Sequence, residues 1–437
     1  MKRVKNGVVK LTATVLLQSG LAVIMMCALY AHFLVNPKDK SATDRIMIQH
    51  IANPDEEEEV EGDANGGVPL INGIEHDILI PSLSFYYNKL NIIVEEFKVM
   101  TSDGYPLALW HLKDTTVAHT QSRKPMLFMH GLLQSSASFA SSGDKSLAYF
   151  FNQKGYDIWL GNNRIGFDYD CDKNKNDQNY WNWDMNEMYR IDLPTLLTFV
   201  QEKTGYSKIH LVGHSQGTTQ IFLSLINNTD NIRSKVDKVI ALAPACYPGL
   251  LLTQESKIFK IIRKTIDNPW VFGKKSFIKI MMLTRYWFLG TEFFGFICYL
   301  FFSFVFQWDN KLWDKKMTAR HFMFSPVYVS VKLMQWWLSD DTNKISFIQH
   351  SSSLLFPEDK TWFQDTDGAE YPEMLMVIPR RDKLVDGIRL VDHFIKYENP
   401  SKFKYWIIDE YSHLDVLWAT NVLERVGEPL AKELKNM

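Results

Sequence analysis

Five residues carry the clearest chemical signal in the chain: Gly213-His214-Ser215-Gln216-Gly217, directly after the apolar run Ile209-His210-Leu211-Val212. A short strand that runs through Gly-x-Ser-x-Gly into a helix puts a serine on a sharp turn, its hydroxyl facing a cleft. Glycine suits both flanks because a Cβ would clash in such a turn. A serine so placed can attack an acyl carbon, but its hydroxyl is a weak nucleophile until a neutral imidazole accepts its proton. A carboxylate must then fix the tautomer of that imidazole and stabilise the imidazolium. The chemistry therefore demands a histidine and an acid elsewhere in the chain.

Both are available downstream, in the order Ser, Asp, His. Met374-Leu375-Met376-Val377-Ile378 reads as a buried strand that ends at Pro379-Arg380-Arg381-Asp382-Lys383-Leu384-Val385-Asp386. Phe403 to Ile408 reads as another, followed by Glu410-Tyr411-Ser412-His413-Leu414-Asp415. Asp382 at the first strand end and His413 beyond the second are the candidate acid and base. Asp386 is the rival acid, placed inside the next helix. Standing alone, Asp382 reads as a helix cap and His413 as an ordinary loop histidine. Elbow, order and strand-end placement together favour the triad. Acyl transfer also needs donors for the developing oxyanion. The N–H of Gln216, after the nucleophile, supplies one. The strand Lys124 to Met129 and its loop His130-Gly131-Leu132-Leu133-Gln134-Ser135 supply the other, through the main chain of Leu132.

These residues need a scaffold. Val94 to Met100 and Leu107 to Leu112 predict a hairpin turned at Ser102-Asp103-Gly104. Asp192 to Thr204 predicts a helix with Asp192 as its cap, Pro194 in the first turn, Gly205 at the end and a buried stripe of Leu193, Leu196, Leu197 and Val200. Val236 to Leu242 predicts a further buried strand. Strands alternating with such helices predict an α/β fold with a mostly parallel sheet covered on both faces.

With these elements in place, the chain resembles the acid lipase family of α/β-hydrolases. That family includes lysosomal and gastric lipases and the membrane-anchored steryl ester hydrolases of fungi. The resemblance rests on His130 to Leu133, Gly155 to Arg164, Tyr180 to Met188, Asp192-Leu193-Pro194, Gly213 to Gly217, Ala243-Pro244-Ala245, Asp382 to Asp386 and His413 to Trp418. It implies an α/β-hydrolase fold with a large helical cap. It also implies a triad of Ser215, Asp382 and His413, oxyanion donors at Leu132 and Gln216, and no metal or cofactor. Two departures stand out. Pro379-Arg380-Arg381 precedes the acid where the family has Gly-Gly. Asn163-Arg164-Ile165-Gly166-Phe167 replaces the family's Asn-x-Arg-Gly-Asn. Because Arg381 adjoins Asp382, the family's pH optimum is not inherited.

Composition narrows the setting. Across 437 residues a net charge of −2 gives no reason to expect a nucleic-acid partner. Aromatic residues make up 14%, which fits either a lipid-facing surface or a bulky core. The four cysteines suggest neither a disulfide framework nor a metal site. Leu11 to Val35 carries no formal charge, and as a helix it would reach ~37 Å, enough to cross a bilayer. It is long for a cleaved signal peptide and reads as an uncleaved anchor. The predicted organisation is an anchor (1–40), an acidic linker (41–74), an α/β core in two pieces (75–245 and 371–437) and a cap insertion (246–370).

Two stretches of the insertion suggest a lipid surface. Ile258, Ile261, Ile262 and Ile266 share one helical face, and Lys257, Lys260 and Lys264 another. That pattern suits an anionic membrane or, equally, a cap helix with a solvated side. Trp287 to Phe306 holds ten aromatic residues and one charge, Glu292. Its length would span a bilayer, but a single crossing would separate Ser215 from Asp382 and His413. It is therefore expected to pack in the cap or dip into one leaflet, lining the acyl or sterol pocket and contacting the lipid surface, so that replacing Phe301, Phe302 and Phe304 should weaken lipid association.

The sequence thus points to a membrane-associated serine hydrolase of neutral lipid esters, with steryl esters first and triacylglycerols second. No obligate protein partner is evident. The expected location is a lipid droplet, the endoplasmic reticulum or the plasma membrane. A non-catalytic lipid-binding or tethering protein is the reading from another class. A peptidase or thioesterase of the same fold is a further alternative.

Overall fold

Eight strands form one sheet, and their apolar content follows their position in it. The strands are β1 (Ile92–Met100), β2 (Pro106–Asp114), β3 (Pro125–Met129), β4 (Asp157–Gly161), β5 (Ile209–His214), β6 (Val236–Leu242), β7 (Glu373–Pro379) and β8 (Phe403–Ile408). They lie side by side in the order β8-β7-β6-β5-β3-β4-β2-β1. The predicted hairpin β1–β2 is antiparallel, as is β2–β4, and the remaining pairs are parallel. Every residue of the central strands β3 and β5 is buried. Near-continuous apolar runs are what parallel strands covered on both faces require. The edge strand β1 instead alternates between buried and exposed positions.

This computed structural model describes residues 79–116, 122–164, 179–277, 279–349, 355–363 and 370–435, and a short ladder of Leu70–Ile71 with Ile74–Glu75. From Ile80 onward the described residues form one compact unit. The predicted anchor and most of the acidic linker lie outside the described residues. Among the described residues no helix is long and apolar enough to cross a membrane.

Helices α1 (Leu147–Gln153), α2 (Leu193–Thr204) and α3 (Gln216–Ile226) connect the strands. The predicted stripe of α2 is fully buried, and Gly205 ends the helix in the left-handed conformation at φ 74°. Asp192 does not cap it. Its backbone is already helical, continuing the wide turn Met188–Asp192, and its side chain makes no cap bond. Its carboxylate instead receives Arg164 Nη2 at 2.6 Å, and Arg164 also donates to Asp103 at 2.9 Å. Buried charge is tolerated only when paired. This pairing ties the end of β4 to α2 and to the β1–β2 turn.

Between β6 and β7 the chain is mainly helical. It includes α4 (Lys257–Thr265), α5 (Lys279–Phe288), α6 (Glu292–Phe306), α7 (Thr318–Met323) and α8 (Val331–Leu338). The aromatic run from Trp287 is broken between α5 and α6. Gly290 turns at φ 88°, and Thr291 caps α6 by accepting from Phe294 N. α6 crosses α7 closely, since a Cβ on Gly295 would lie 2.5 Å from Ala319 Cα. Phe302 faces inward and stacks on Phe322 at 5.7 Å, whereas Phe304 is 73% exposed. The outward stripe is therefore Phe296, Leu300 and Phe304, and Phe302 is not part of it. In α4 the buried face runs through Phe259, which packs on Phe306, and Ile261 is exposed. Of the isoleucines, Ile266 is buried, Ile258 and Ile262 are half-buried, and Ile261 is exposed. Lys257, Lys260 and Lys264 are exposed.

Candidate active site

The elbow forms where β5 gives way to α3. Ser215 has φ 50° and ψ −114°, a strained conformation for a residue with a side chain. Its N–H donates to Leu242 O of β6 at 3.0 Å, which holds the turn. The flanking glycines are needed for space rather than for positive φ. A Cβ on Gly213 would lie 2.8 Å from Thr218 N, and one on Gly217 would lie 2.2 Å from Met129 O. α3 therefore starts directly against the end of β3, which brings the loop after β3 beside Ser215.

The acid and base loops meet at the same end of the sheet. Asp382 Oδ2 lies 2.6 Å from His413 Nδ1, with both side chains buried. A carboxylate only accepts, so Nδ1 carries the proton and Nε2 is left as the acceptor. The other oxygen, Oδ1, accepts Leu384 N at 2.8 Å and Val385 N at 3.2 Å, which fixes the carboxylate plane. Asp382 thus combines the turn-capping role with the pairing to His413. Asp386, the rival acid, instead caps the helix α9 (Gly387–Tyr397) by accepting Arg389 N at 3.0 Å. The two loops are laced by main-chain bonds, Arg380 N to Ile408 O at 3.0 Å and Arg381 N to Tyr411 O at 2.9 Å.

Gln216 opens α3, where helix geometry leaves its N–H without an intrahelical acceptor and the dipole favours negative charge. Leu132 lies in the loop after β3, followed by Leu133 at φ 62°. That loop is held by Gln134, a residue that no local pattern singles out. Gln134 Oε1 accepts Gly131 N at 3.2 Å and lies 2.9 Å from His214 Nδ1. His214 Nε2 in turn lies 3.3 Å from His413 O. Burial holds the His214 pKa well below the usual histidine value, and the neighbouring His413 adds to this. A neutral imidazole has one N–H to share between these two acceptors. A buried polar chain thus runs from the loop after β3, past the elbow, to the loop that carries His413.

Three tryptophans of the insertion reach the same loops. Trp337 Nε1, from α8, donates to Gln216 Oε1 at 3.0 Å. Trp313 Nε1 donates to Asp415 Oδ1 at 2.8 Å, and Asp415 also accepts Ser412 N at 2.6 Å. The Trp308 ring lies parallel to His413, at 9° and 5.7 Å between centroids. Under this cover Ser215 is 6% exposed and His413 2%.

Known proteins share this arrangement of sequence. Residues 83–143 match the partial alpha/beta-hydrolase lipase region, and residues 124–260 match the alpha/beta hydrolase fold. The chain is 44% identical to sterol esterase 2 of Saccharomyces cerevisiae over 390 residues, covering 82% of this chain and 72% of that protein. The chain belongs to the acid lipase family of α/β-hydrolases. More distant members include human gastric triacylglycerol lipase, 25% identical over 76% of this chain and 85% of that one. A probable lipase of Schizosaccharomyces pombe is 26% identical over 79% of this chain and 74% of its own length. The two matched regions hold Leu132, Ser215 and Gln216. Asp382 and His413 lie beyond them and are brought to the site by the sheet.

Proposed function

We propose that this chain is a serine hydrolase of neutral lipid esters, with steryl esters as its main substrate. The supporting observation is the 2.6 Å Asp382–His413 pair at the strand ends, with His413 against His214, the residue before the strained Ser215. Ser215 Oγ attacks the ester carbonyl while His413 Nε2 takes its proton. The oxyanion accepts hydrogen bonds from Leu132 and Gln216 N–H. Collapse breaks the ester bond, and His413 returns the proton to the departing sterol oxygen. Water then attacks the acyl-enzyme with His413 again as base, which releases fatty acid and restores Ser215. Asp382 keeps His413 in the required tautomer throughout.

The steryl preference rests on the yeast relative named as a sterol esterase. Triacylglycerol hydrolysis is the second reading, favoured by the gastric relatives. The exposed Phe296, Leu300 and Phe304 of α6, with Lys257, Lys260 and Lys264 of α4, support work at a membrane or droplet surface. Leu11 to Val35 is proposed as the anchor that keeps the enzyme there.

The test is fatty-acid release from steryl oleate and triolein, side by side, by the protein and its Ser215→Ala variant. Ser215-dependent release with steryl oleate preferred supports the reading. A triolein preference keeps the mechanism and changes the substrate. No Ser215-dependent release from either favours a non-catalytic lipid-binding protein.

A further inference from the structure

The contact between Trp308 and His413 has no counterpart in the chemistry so far assigned. Trp308 belongs to the insertion, two residues past α6, after Gln307 turns the chain at φ 56°. Its indole lies parallel to the imidazole, at 9° and 5.7 Å. His214 approaches the same imidazole at 5.0 Å with its ring tilted by 51°. The base is therefore in ring contact with one residue of the core elbow and one of the cap.

Trp308 is itself held in place. It stacks on Phe306 at 4.5 Å and 15°, and on Phe302 at 6.0 Å and 14°. Phe302 rests on Phe322 of α7. Beside it, Gln307 Oε1 accepts Lys383 Nζ at 3.3 Å, next to Asp382. The end of α6 thus touches both the base and the loop of the acid.

We propose that Trp308 is a positioning residue for His413, a cap-borne ring that fixes the imidazole plane and favours the imidazolium formed in each half-reaction. An aromatic face within ~6 Å of a cation attracts it, and Trp does so most strongly. A ring held on one side also cannot rotate away from its Asp382 bond. The proposal rests on the assignment of Ser215 and His413 given above.

The experiment uses the full chain and its Trp308→Leu and Trp308→Phe variants. Two readouts avoid lipid binding: the rate of Ser215 labelling by a small fluorophosphonate, and kcat and KM for p-nitrophenyl acetate. The wild type must label, and Ser215→Ala must not. Failure there removes the catalytic assignment, which is separate from the proposal. For Trp308→Leu we expect labelling and kcat to fall roughly 10-fold with KM for the short ester unchanged, the size of a desolvated aromatic–cation contact. Trp308→Phe should recover to within about threefold, since a flat ring is kept. Wild-type labelling in Trp308→Leu, faster labelling, or a change confined to KM overturns the proposal and leaves Trp308 as a wall of the substrate path. If Trp308→Leu fails to fold, Trp308→Phe decides. A kcat loss as large as that expected for leucine also overturns it.

Discussion

The core and the cap hold the candidate site by different means. In the core, position is set by backbone. Ser215 is strained, Gly213 and Gly217 have no room for a Cβ, and the acid and base loops are laced by main-chain bonds. In the cap, position is set by side chains. Trp308, Trp313 and Trp337 each reach one element of the candidate site, by stacking or by a single N–H. Backbone constraint tolerates almost no change, whereas ring contacts weaken by degrees. Core substitutions should therefore abolish chemistry or folding, and cap substitutions should change rate and lipid handling.

The largest expected effect is in the core. Asp382→Asn keeps an oxygen for Leu384 N and Val385 N but no longer fixes the His413 tautomer. Its kcat should fall roughly 10³- to 10⁴-fold with an unchanged melting temperature. A loss of less than tenfold would move the acid role elsewhere. Gly217→Ala comes next. Its Cβ would meet Met129 O at 2.2 Å, and a strand carbonyl cannot move aside. Denaturant titration should show a loss of about 3 kcal/mol or more. Unchanged stability would mean that α3 does not start where it is placed.

A smaller effect compares one buried histidine from each region. Burial lowers the His130 pKa to about 4, despite its bond to Gly131 O. Burial, helped by Arg320, lowers the pKa of His321 in α7 to about 3. Both are neutral when folded, while the unfolded chain takes up a proton near the ordinary 6.5. Each contributes stability that is full above pH 6.5 and is lost as pH falls toward the folded pKa. The loss is up to about 1.4 kcal/mol per pH unit for each group. His321→Phe keeps a flat ring on Trp418 and removes one of these protons. Unfolding titrations from pH 7.5 to 5 should show a shallower acid loss in His321→Phe than in the wild type. Equal slopes would mean that His321 is not held neutral.

The smallest effect belongs to the cap surface. Replacing Phe296, Leu300 and Phe304 together by serine should weaken binding to lipid droplets or vesicles, and leave hydrolysis of p-nitrophenyl acetate within about twofold because none of the three lies against the triad. Unchanged binding would assign the surface contact to another part of the chain.

Much of this was legible because the chemistry sits where backbone rules act. Ser215, Asp382 and His413 follow apolar strands, and strand ends are marked by hydrophobic pattern. The oxyanion donors were placed by position alone. The failures have a common cause. Asp192 has the type and place of a helix cap, yet its partner is Arg164, 28 residues earlier. Phe302 turned inward because Phe322 was there to receive it. Gln134 and the three tryptophans likewise act across folded distances that no local period encodes. Only Arg164, a charge three residues past the end of the buried strand β4, was a usable clue.

The central claim is that Ser215 carries the acyl group. Acid-quenched protein turning over steryl oleate, digested and analysed by mass spectrometry, tests it most directly. An oleoyl ester is expected on the peptide containing Ser215, absent in Ser215→Ala. Steady release of oleate with no acyl adduct on that peptide, or with the adduct on another residue, would contradict it.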